Sequence, residues 1–291
     1  MSLHKERLKF ILAVVLYGTI GMFLRFTALP SEAVAFYRGL VGALFILLYR
    51  TVRGEKPDLS AIRRNLRLLL LSGILLGLNW IFLFAAYIKT TVAVASLCNY
   101  MAPVLVIVFA PLVLHEKIDS RKLPLVAAAL LGIVLVSGVI GGGLGDPAGV
   151  LFGLLGAVCF AGIVFCNRQF QDIPALDRAL VQLAVSAATV LPYVLIKNGA
   201  LPLPQGRPFL IVLMLGILQT GVAYCLYFSG MANLPVQSVV ILGYLEPVVS
   251  VLCSVFFLHE PLSVRGWLGA VLILAAAAMS ELMPERNDEA P

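Results

Sequence analysis

Residues 66–87 read LRLLLLSGILLGLNWIFLFAAY, and after Arg67 this stretch carries no charged side chain. A helix of about 20 residues, rising about 1.5 Å per residue, crosses a hydrocarbon core of about 30 Å. The stretch is apolar on every side, which is typical of a buried or membrane-spanning helix and not of a surface helix of a soluble domain. Residues 66–87 therefore predict a transmembrane helix.

The composition extends this interpretation to the whole chain. Its 291 residues are 61% hydrophobic and only 12% charged, with a mean hydropathy of +1.01. Soluble domains carry about 25% charged residues, so these values exclude a cytosolic enzyme, a nucleic-acid-binding domain and a disordered protein. The net charge of +6 does not change this conclusion, because the basic residues sit in short loops between apolar stretches.

Ten apolar stretches have the length of a membrane span, and they predict an all-α integral membrane protein. Glycine- and proline-containing turns separate them. The predicted spans are Leu8–Arg25, Ser31–Tyr49, Leu66–Tyr87, Val92–Leu114, Leu123–Ile140, Ala148–Asn167, Leu176–Ile196, Pro208–Ser229, Val236–Leu258 and Val264–Met283.

The distribution of positive charge predicts the orientation. Most of the 21 Lys and Arg residues fall in the segments that share a side with the N-terminus. Loops rich in Lys and Arg stay on the cytoplasmic side. We therefore expect both termini to be cytoplasmic, in a multi-pass protein of a bacterial inner membrane.

The chain repeats itself at an offset of 144 residues. Tyr100-Met101-Ala102-Pro103 corresponds to Tyr244-Leu245-Glu246-Pro247, and the pairs His115-Glu116 and His259-Glu260 follow the two prolines at equal distance. Each half holds five spans, an odd number, so the second half would enter the membrane with opposite polarity. The repeat predicts two inverted five-helix units, residues 1–144 and 145–291, an arrangement found in secondary transporters.

With this pattern the chain resembles the drug/metabolite transporter superfamily of the EamA-repeat type, over essentially its full length. Within that superfamily, Asn99-Tyr100-Met101-Ala102-Pro103 is similar to the Asn-Tyr-x-x-Pro stretch of bacterial aromatic amino-acid exporters. Glu246 departs from that branch. The resemblance implies export of small metabolites, including aromatic or neutral amino acids, through a central cavity lined by both halves.

Ionisable residues inside spans are costly, at about 2.5–3.5 kcal/mol for a charge at the helix centre. Glu246 lies in mid-span before Pro247, which cannot complete the helical hydrogen bonding. A carboxylate beside freed backbone suits a cation or an ammonium group. Arg25, near the outer end of its span, is expected to reach the lipid headgroups or Glu32.

Another interpretation of Glu246 is an ion pair with Arg38, formed directly or through water in at least one state. The repeat supports the pair. The position equivalent to Arg38 in the other half holds Gln182, and the position equivalent to Glu246 holds Ala102. Both charges are thus absent together, as expected if each depends on the other. Glu246 as a protonated packing residue is a further alternative.

Polar and aromatic side chains within the spans predict where a substrate binds. Rings with polar tips suit an amphipathic organic molecule, although ordinary packing between helices explains any single one of them. Trp80, Tyr100 and Tyr244 are the strongest candidates, and Pro103 and Pro247 are the predicted helix breaks. The full set predicted to line a cavity is Asn79, Trp80, Asn99, Tyr100, Gln219, Tyr224, Tyr227, Tyr244 and Glu246.

The sequence predicts no catalytic, metal or cofactor site. The His-Glu pairs at 115–116 and 259–260 are expected on opposite sides of the membrane, whereas a metal needs three or four converging ligands. The expected partners are a small-molecule substrate and lipid, with no nucleic acid, in a monomer or a homodimer. The alternatives to a coupled exporter are an uncoupled facilitator and an exporter of cationic amphipathic compounds; a membrane enzyme lacks a visible cluster of reactive groups.

Overall fold

The fold is built almost entirely of helices. The computed structural model describes residues 3–113, 121, 123–136, 146–231, 234, 239 and 242–283. In chain order the α-helices are α1 (Leu3–Gly18), α2 (Ile20–Arg25), α3 (Ser31–Val52), α4 (Leu59–Arg64), α5 (Leu66–Lys89), α6 (Val92–Asn99), α7 (Ala102–Val113), α8 (Leu123–Val136), α9 (Pro147–Gln169), α10 (Ala175–Asn198), α11 (Arg207–Leu213), α12 (Ala223–Met231), α13 (Leu245–Leu252) and α14 (Val264–Leu282). Two π-helical segments, π1 (Met214–Val222) and π2 (Cys253–Phe257), continue α11 and α13.

Among the residues that the structure describes, seven helical stretches are long and apolar enough to cross a membrane. They are His4–Arg25, Ser31–Val52, Leu66–Lys89, Val92–Phe109, Pro147–Gln169, Ala175–Asn198 and Arg207–Met231. Shorter apolar helices at Leu123–Val136, Leu245–Phe257 and Val264–Met279 lie where the fifth, ninth and tenth spans are predicted. The chain is thus an all-helical protein with many spans. The count of ten remains a prediction, because parts of the fifth and ninth spans lie outside the described residues.

Side-chain caps fix several helix starts, since the first N–H groups of a helix have no partner within it. The Asp146 carboxylate accepts a 2.9 Å hydrogen bond from the Ala148 N–H at the start of α9, and Thr91 caps α6 through the Val94 N–H at 3.1 Å. The Ala148 N–H, and after it the Lys89 side chain, lower the pKa of Asp146. The loop before α9 is therefore tied to the end of α5.

Helices of the first half pack mainly on helices of the second. The main contacts are α5 with α9 and α10, α3 with α10, α1 with α12, and α8 with α14. The largest apolar core forms around α3, α5 and α10, where Ile46, Phe84 and Leu183 are fully buried. Because lipid is as apolar as these side chains, close packing and not exclusion from water holds such helices together.

The closest backbone approach between α8 and α14 occurs at two glycines. A Cβ atom added to Gly269 would lie 2.5 Å from the Gly132 carbonyl oxygen, and one added to Gly132 would lie 2.8 Å from the Gly269 carbonyl oxygen. Backbone atoms cannot move aside as a flexible side chain can. Only glycine therefore fits at this crossing, which joins the predicted fifth and tenth spans within one chain.

We expect Gly269→Ala to lower the stability of the protein, because the new methyl group overlaps the backbone of α8. Overpacking of this kind costs about 1–3 kcal/mol. Thermal denaturation in detergent, followed by circular dichroism, measures the loss.

The matched control is Gly243→Ala, because a Cβ at Gly243 meets no atom of the described part of the chain within 4 Å. A Gly269→Ala variant that melts at the same temperature as Gly243→Ala would show that the α8–α14 crossing is not close-packed.

Candidate functional site

A cavity of about 420 Å³ lies inside the helix bundle. Its wall takes side chains from α1, α3, α5, α9, α10, α12 and α13, together with the junction between α6 and α7. Its polar and aromatic lining consists of Tyr17, Arg38, Asn79, Trp80, Phe84, Tyr87, Asn99, Tyr100, Phe160, Asn167, Arg178, Gln182, Tyr224, Tyr227, Phe228 and Glu246. The volume falls within the range of about 300–1,000 Å³ that is usual for small-molecule sites.

Most of the residues that the sequence places at a substrate site line this one cavity. Among them are Asn79, Trp80, Asn99, Tyr100, Tyr224, Tyr227 and Glu246, together with Arg38 and Pro103. Gln219, Tyr244 and Pro247 are not part of the lining. Gln219 is 1% exposed, and its amide donates a 2.6 Å hydrogen bond to the Thr19 hydroxyl at the break between α1 and α2. It therefore joins the predicted first and eighth spans behind the cavity wall.

Arg38 is the charge most firmly held in the cavity wall. Its Nε donates a 2.9 Å hydrogen bond to the Thr220 hydroxyl, and its guanidinium carbon lies 4.4 Å from the centre of the Trp80 ring. A cation over the face of tryptophan is attracted by the electron-rich ring, and the attraction is strongest where water is excluded. Arg38 is only 6% exposed, and these two partners stabilise its buried charge.

The π-helical segment explains how Thr220 reaches Arg38. In π1 each hydrogen bond spans five residues, and the Thr220 hydroxyl donates a 2.8 Å hydrogen bond to the carbonyl of Leu215, five residues earlier. The hydroxyl oxygen is thereby oriented to accept from Arg38. Gly42 on α3 lets the two segments meet, since a Cβ there would lie 2.6 Å from the Thr220 methyl group. Short π-helical segments are frequent at functional sites.

Glu246 occupies the cavity wall near the junction of α6 and α7. It lies in the first turn of α13, and its side chain lines the cavity together with Tyr100. Its backbone is pressed against the first span, because a Cβ at Gly18 would lie 2.6 Å from the Glu246 carbonyl oxygen. Glu246 therefore joins elements from both halves of the chain.

The predicted ion pair between Arg38 and Glu246 is not formed directly. Within the described ranges Arg38 is engaged by Thr220 and Trp80, and no salt bridge joins it to Glu246. Both side chains nevertheless line the same cavity. The cavity thus presents opposite charges with space between them, and a pairing through water remains a prediction.

Helix boundaries fall next to the two predicted prolines. The helix α6 ends at Asn99 and α7 begins at Ala102, so Pro103 is its second residue; α13 begins at Leu245, two residues before Pro247. Proline is tolerated in a first turn because its missing N–H has no helical partner there. Tyr100, between α6 and α7, consequently points from a non-helical junction into the cavity.

Asn79 has a structural role in the wall. Its amide donates hydrogen bonds of 2.9 Å to the Asn99 side-chain oxygen and of 2.8 Å to the Gly156 carbonyl. A Cβ at Gly156 would lie 2.9 Å from that same Asn99 oxygen. Asn79 thus links α5, α6 and α9 at the depth of the cavity.

Tyrosine rings form an apolar face with polar tips. Tyr17 lies 5.9 Å from Tyr224 and 6.0 Å from Tyr227, measured between ring centres, and Tyr224 lies 5.7 Å from Phe228. Such aromatic pairs contribute about 0.5–1.5 kcal/mol beyond the area they bury. The sequence pattern identifies Tyr224 and Tyr227 but misses Tyr17, which lines the same cavity.

The helices are cross-linked between the cavity and the end of the bundle that holds Arg25 and Glu260, the Arg25 end. Ser96 on α6 and Ser250 on α13 are hydrogen-bonded at 2.6 Å, and Tyr87 lies 3.2 Å from the Ser96 hydroxyl. Beyond this layer, the Arg25 guanidinium forms a 2.8 Å ion pair with Glu260.

The partner of Arg25 differs from the expectation. Arg25 also donates a 2.7 Å hydrogen bond to the Thr90 carbonyl, while Glu32 binds Lys197 and not Arg25. Glu260 completes the network by accepting from the Val92 N–H at 2.8 Å. Arg25 is therefore a bridging residue whose side chain is still 32% exposed, and its contact with lipid headgroups stays a prediction. Of the two His-Glu pairs, His115-Glu116 lies outside the described residues.

The cavity wall continues toward the opposite end, which holds Arg50 and Asp177 and is called the Arg50 end. Asn167, Met231 and Arg178 extend the lining in this direction. Arg178, near the start of the predicted span Leu176–Ile196, lies over the rings of Phe170 at 5.7 Å and Phe228 at 5.5 Å. Its position one helical turn inside α10 brings this charge into the wall.

These observations define a class of protein. Membrane-length helices enclose a cavity that carries buried charges and aromatic rings, an arrangement that carriers of small molecules share. The chain belongs to the EamA-like transporter family, which matches residues 5–138 and again residues 147–281. The resemblance to the drug/metabolite transporter superfamily is confirmed, and the chain is a membrane transporter and not an enzyme.

Several relatives span most of the chain. An uncharacterized transporter, YxxF of Bacillus subtilis, is 26% identical over 94% of this chain and 88% of its own. An uncharacterized transporter of Archaeoglobus fulgidus is 27% identical over 93% and 94%. The aromatic amino acid exporter YddG of Ancylobacter novellus is 28% identical over 70% and 72%. A crystal structure that is 24% identical superposes with a TM-score of 0.65 over 94% of this chain and 96% of its own, which shows the shared fold.

We expect Thr220→Val to destabilise the protein, because the isosteric side chain leaves the Arg38 Nε without its acceptor. Losing a hydrogen bond to a charged group costs about 1.5–3 kcal/mol. Thermal denaturation in detergent reports the change.

Thr189→Val is the control, because the Thr189 hydroxyl bonds only to the Val185 carbonyl of its own helix, at 2.8 Å. Equal melting temperatures for the two variants would show that Thr220 does not support Arg38.

Proposed function

We propose that this transporter exports small organic metabolites, foremost aromatic or neutral amino acids, across the bacterial inner membrane by alternating access. The observation that carries the proposal is the cavity itself, in which Arg38 and Glu246 stand among aromatic rings. A mixed wall of this kind suits a small molecule with both charged and apolar parts. The 28% identity to an aromatic amino acid exporter supports the same substrate class.

Alternating access is supported by the pairing of the helices. The family matches the chain twice, in residues 5–138 and 147–281. If each helix is replaced by its counterpart in the other half, the α5–α9 contact becomes the α12–α1 contact. The α3–α10 and α8–α14 contacts each join a helix to its own counterpart, and so they are unchanged. Such exchange symmetry is expected of inverted repeats 1–144 and 145–291, whose two arrangements would open to opposite sides.

Interhelical polar contacts occur at both ends of the bundle. The Arg25–Glu260 ion pair lies at the Arg25 end, and the Arg50–Asp177 ion pair lies at the Arg50 end. The cavity lining continues through Asn167 and Arg178 toward the Arg50 end. The basic loops favour a cytoplasmic Arg50 end, and we infer that substrate enters from that side.

A second candidate function is export of cationic amphipathic compounds. It is favoured by one observation, the Glu246 carboxylate in a wall that is otherwise rich in aromatic rings. Uncoupled facilitated diffusion is a variant of either function. The sequence contains no GxxxxGK[ST] phosphate-binding loop, so within this chain no ATP site is available to drive transport directly.

The direct test is counterflow in proteoliposomes. Vesicles loaded with unlabelled phenylalanine should take up labelled phenylalanine with saturable kinetics, and other aromatic or neutral amino acids should compete. Flux that grows linearly with concentration would indicate a channel, and exchange only of lipophilic cations would favour the second candidate.

The two tryptophans offer a matched pair of variants for this assay. We expect Trp80→Leu to reduce phenylalanine exchange at least about tenfold, because losing contacts worth about 1.4 kcal/mol lowers affinity tenfold. Trp80 is 4% exposed and lies under Arg38 in the cavity.

Trp267→Leu should leave exchange unchanged, since Trp267 is 39% exposed and lies outside the cavity lining. Similar losses in both variants would place the substrate elsewhere.

The ion pair between Arg25 and Glu260 should act as the closure of the Arg25 end. We expect Glu260→Gln to raise labelling of a cysteine introduced at Ser250, in a cysteine-free background, by an impermeant maleimide added outside intact cells. Losing an interaction of about 1 kcal/mol raises the population of the state that is open at the Arg25 end about fivefold.

The control for this experiment is Glu55→Gln, which removes the exposed 3.0 Å ion pair with Arg53 at the Arg50 end. The double variant Arg25→Glu with Glu260→Arg should restore protection. Unchanged labelling in Glu260→Gln would remove the ion pair from the gating scheme.

A further inference from the structure

The cavity holds two opposite charges, those of Arg38 and Glu246. We propose that the substrate binds as a zwitterion, with its carboxylate on the Arg38 guanidinium and its ammonium group on the Glu246 carboxylate. This assignment rests on the proposed export of amino acids and specifies how the cavity recognises them.

Arg38 is prepared to accept a carboxylate. Its Nε is used by the Thr220 hydroxyl and one face of its guanidinium by Trp80, and no hydrogen bond from its two Nη groups reaches another described residue. A guanidinium offers paired N–H donors whose geometry matches the two oxygens of a carboxylate. Thr220 and Trp80 fix the plane of the guanidinium before the ligand arrives, which reduces the entropy lost on binding.

Glu246 is placed to accept an ammonium group. Its side chain lines the cavity together with Tyr100, and no salt bridge joins it to another described residue. A carboxylate has about four lone-pair positions on its two oxygens, which can accept the N–H groups of an ammonium ion.

Pairing of the two opposite charges favours a ligand that carries both signs. Within the membrane a charge is costly unless it is paired with an opposite charge. A zwitterion adds no net charge and gives both Arg38 and Glu246 an oppositely charged partner. An amine lacking the carboxylate leaves Arg38 without an anionic partner, and an acid lacking the ammonium group leaves Glu246 without a cationic one. The third charge of the cavity, Arg178, lies over Phe170 and Phe228 toward the Arg50 end, where it is placed to attract the carboxylate on entry.

The remaining wall accommodates the side chain of the amino acid. The Tyr17 ring lies 5.9 Å from the Tyr224 ring and 6.0 Å from the Tyr227 ring, measured between ring centres. Aromatic rings bind flat apolar groups well and tolerate several shapes. The charged pair thus selects the amino-acid backbone, while the rings select large apolar side chains over small ones.

Three ligands that share one ring separate the two charges. L-phenylalanine has both, phenethylamine lacks the carboxylate, and 3-phenylpropionate lacks the ammonium group. Each competes against labelled phenylalanine for the purified protein in a scintillation proximity assay. We expect both analogues to bind at least about tenfold more weakly than phenylalanine, since one hydrogen-bonded charge accounts for about a tenfold difference or more.

Variants assign each charge to its residue. Arg38→Gln should weaken phenylalanine and 3-phenylpropionate but leave phenethylamine unchanged. Glu246→Gln should weaken phenylalanine and phenethylamine but leave 3-phenylpropionate unchanged. A purely structural role for either residue would instead weaken all three ligands together. If a variant does not yield folded protein, the affinities of the wild type for the three ligands still decide the proposal.

The outcomes distinguish this assignment from the proposed function. If phenylalanine exchanges in vesicles but both analogues compete as well as it does, the zwitterion assignment is wrong and amino-acid export stands. If phenethylamine alone binds, cationic compounds are the substrates and both proposals are wrong. If no aromatic or neutral amino acid exchanges or binds, amino-acid export is wrong, and the zwitterion assignment fails with it.

Discussion

The contact of Arg38 with Trp80 and Thr220 is the constraint on which the site depends. A guanidinium in the middle of a membrane span needs compensation, and here it comes from a ring 4.4 Å away and a hydroxyl 2.9 Å away. The hydroxyl lies in π1, where it donates to the Leu215 carbonyl, and the close approach of α3 needs a glycine at position 42. The π1 backbone, Gly42 and the Arg38 charge therefore depend on one another. Glu246 supplies the opposite charge in the same cavity.

The sequence predicts the fold well because membrane spans follow simple rules. Stretches such as residues 66–87 have no alternative to a helix when no water can satisfy the backbone. It also identifies much of the cavity, since Trp80, Tyr100 and Glu246 stand out in spans that are otherwise apolar. Polar and aromatic residues within an apolar span indicate a polar partner or a binding cavity, and these three residues line one cavity.

Other features depend on geometry that periodicity does not carry. The sequence of residues 214–222 has no feature that predicts a π-helical segment. The hydrogen bond between Arg38 and Thr220 is therefore not predictable from residue spacing. Arg25 and Glu260 come from opposite halves of the chain, and their contact follows from how the bundle closes. Gln219 shows the opposite case, a polar residue in mid-span that serves packing at Thr19 and not the cavity.

The hydrogen bond from Asn79 to the Gly156 carbonyl has a consequence for motion. It fastens α5 of the first repeat to α9 of the second, deep in the bilayer, where breaking it would strand an amide in hydrocarbon. In the proposed alternating-access cycle, we therefore expect the moving bodies not to coincide with the two sequence halves. Each body would carry helices from both halves, and the sliding surface would run between such mixed bundles.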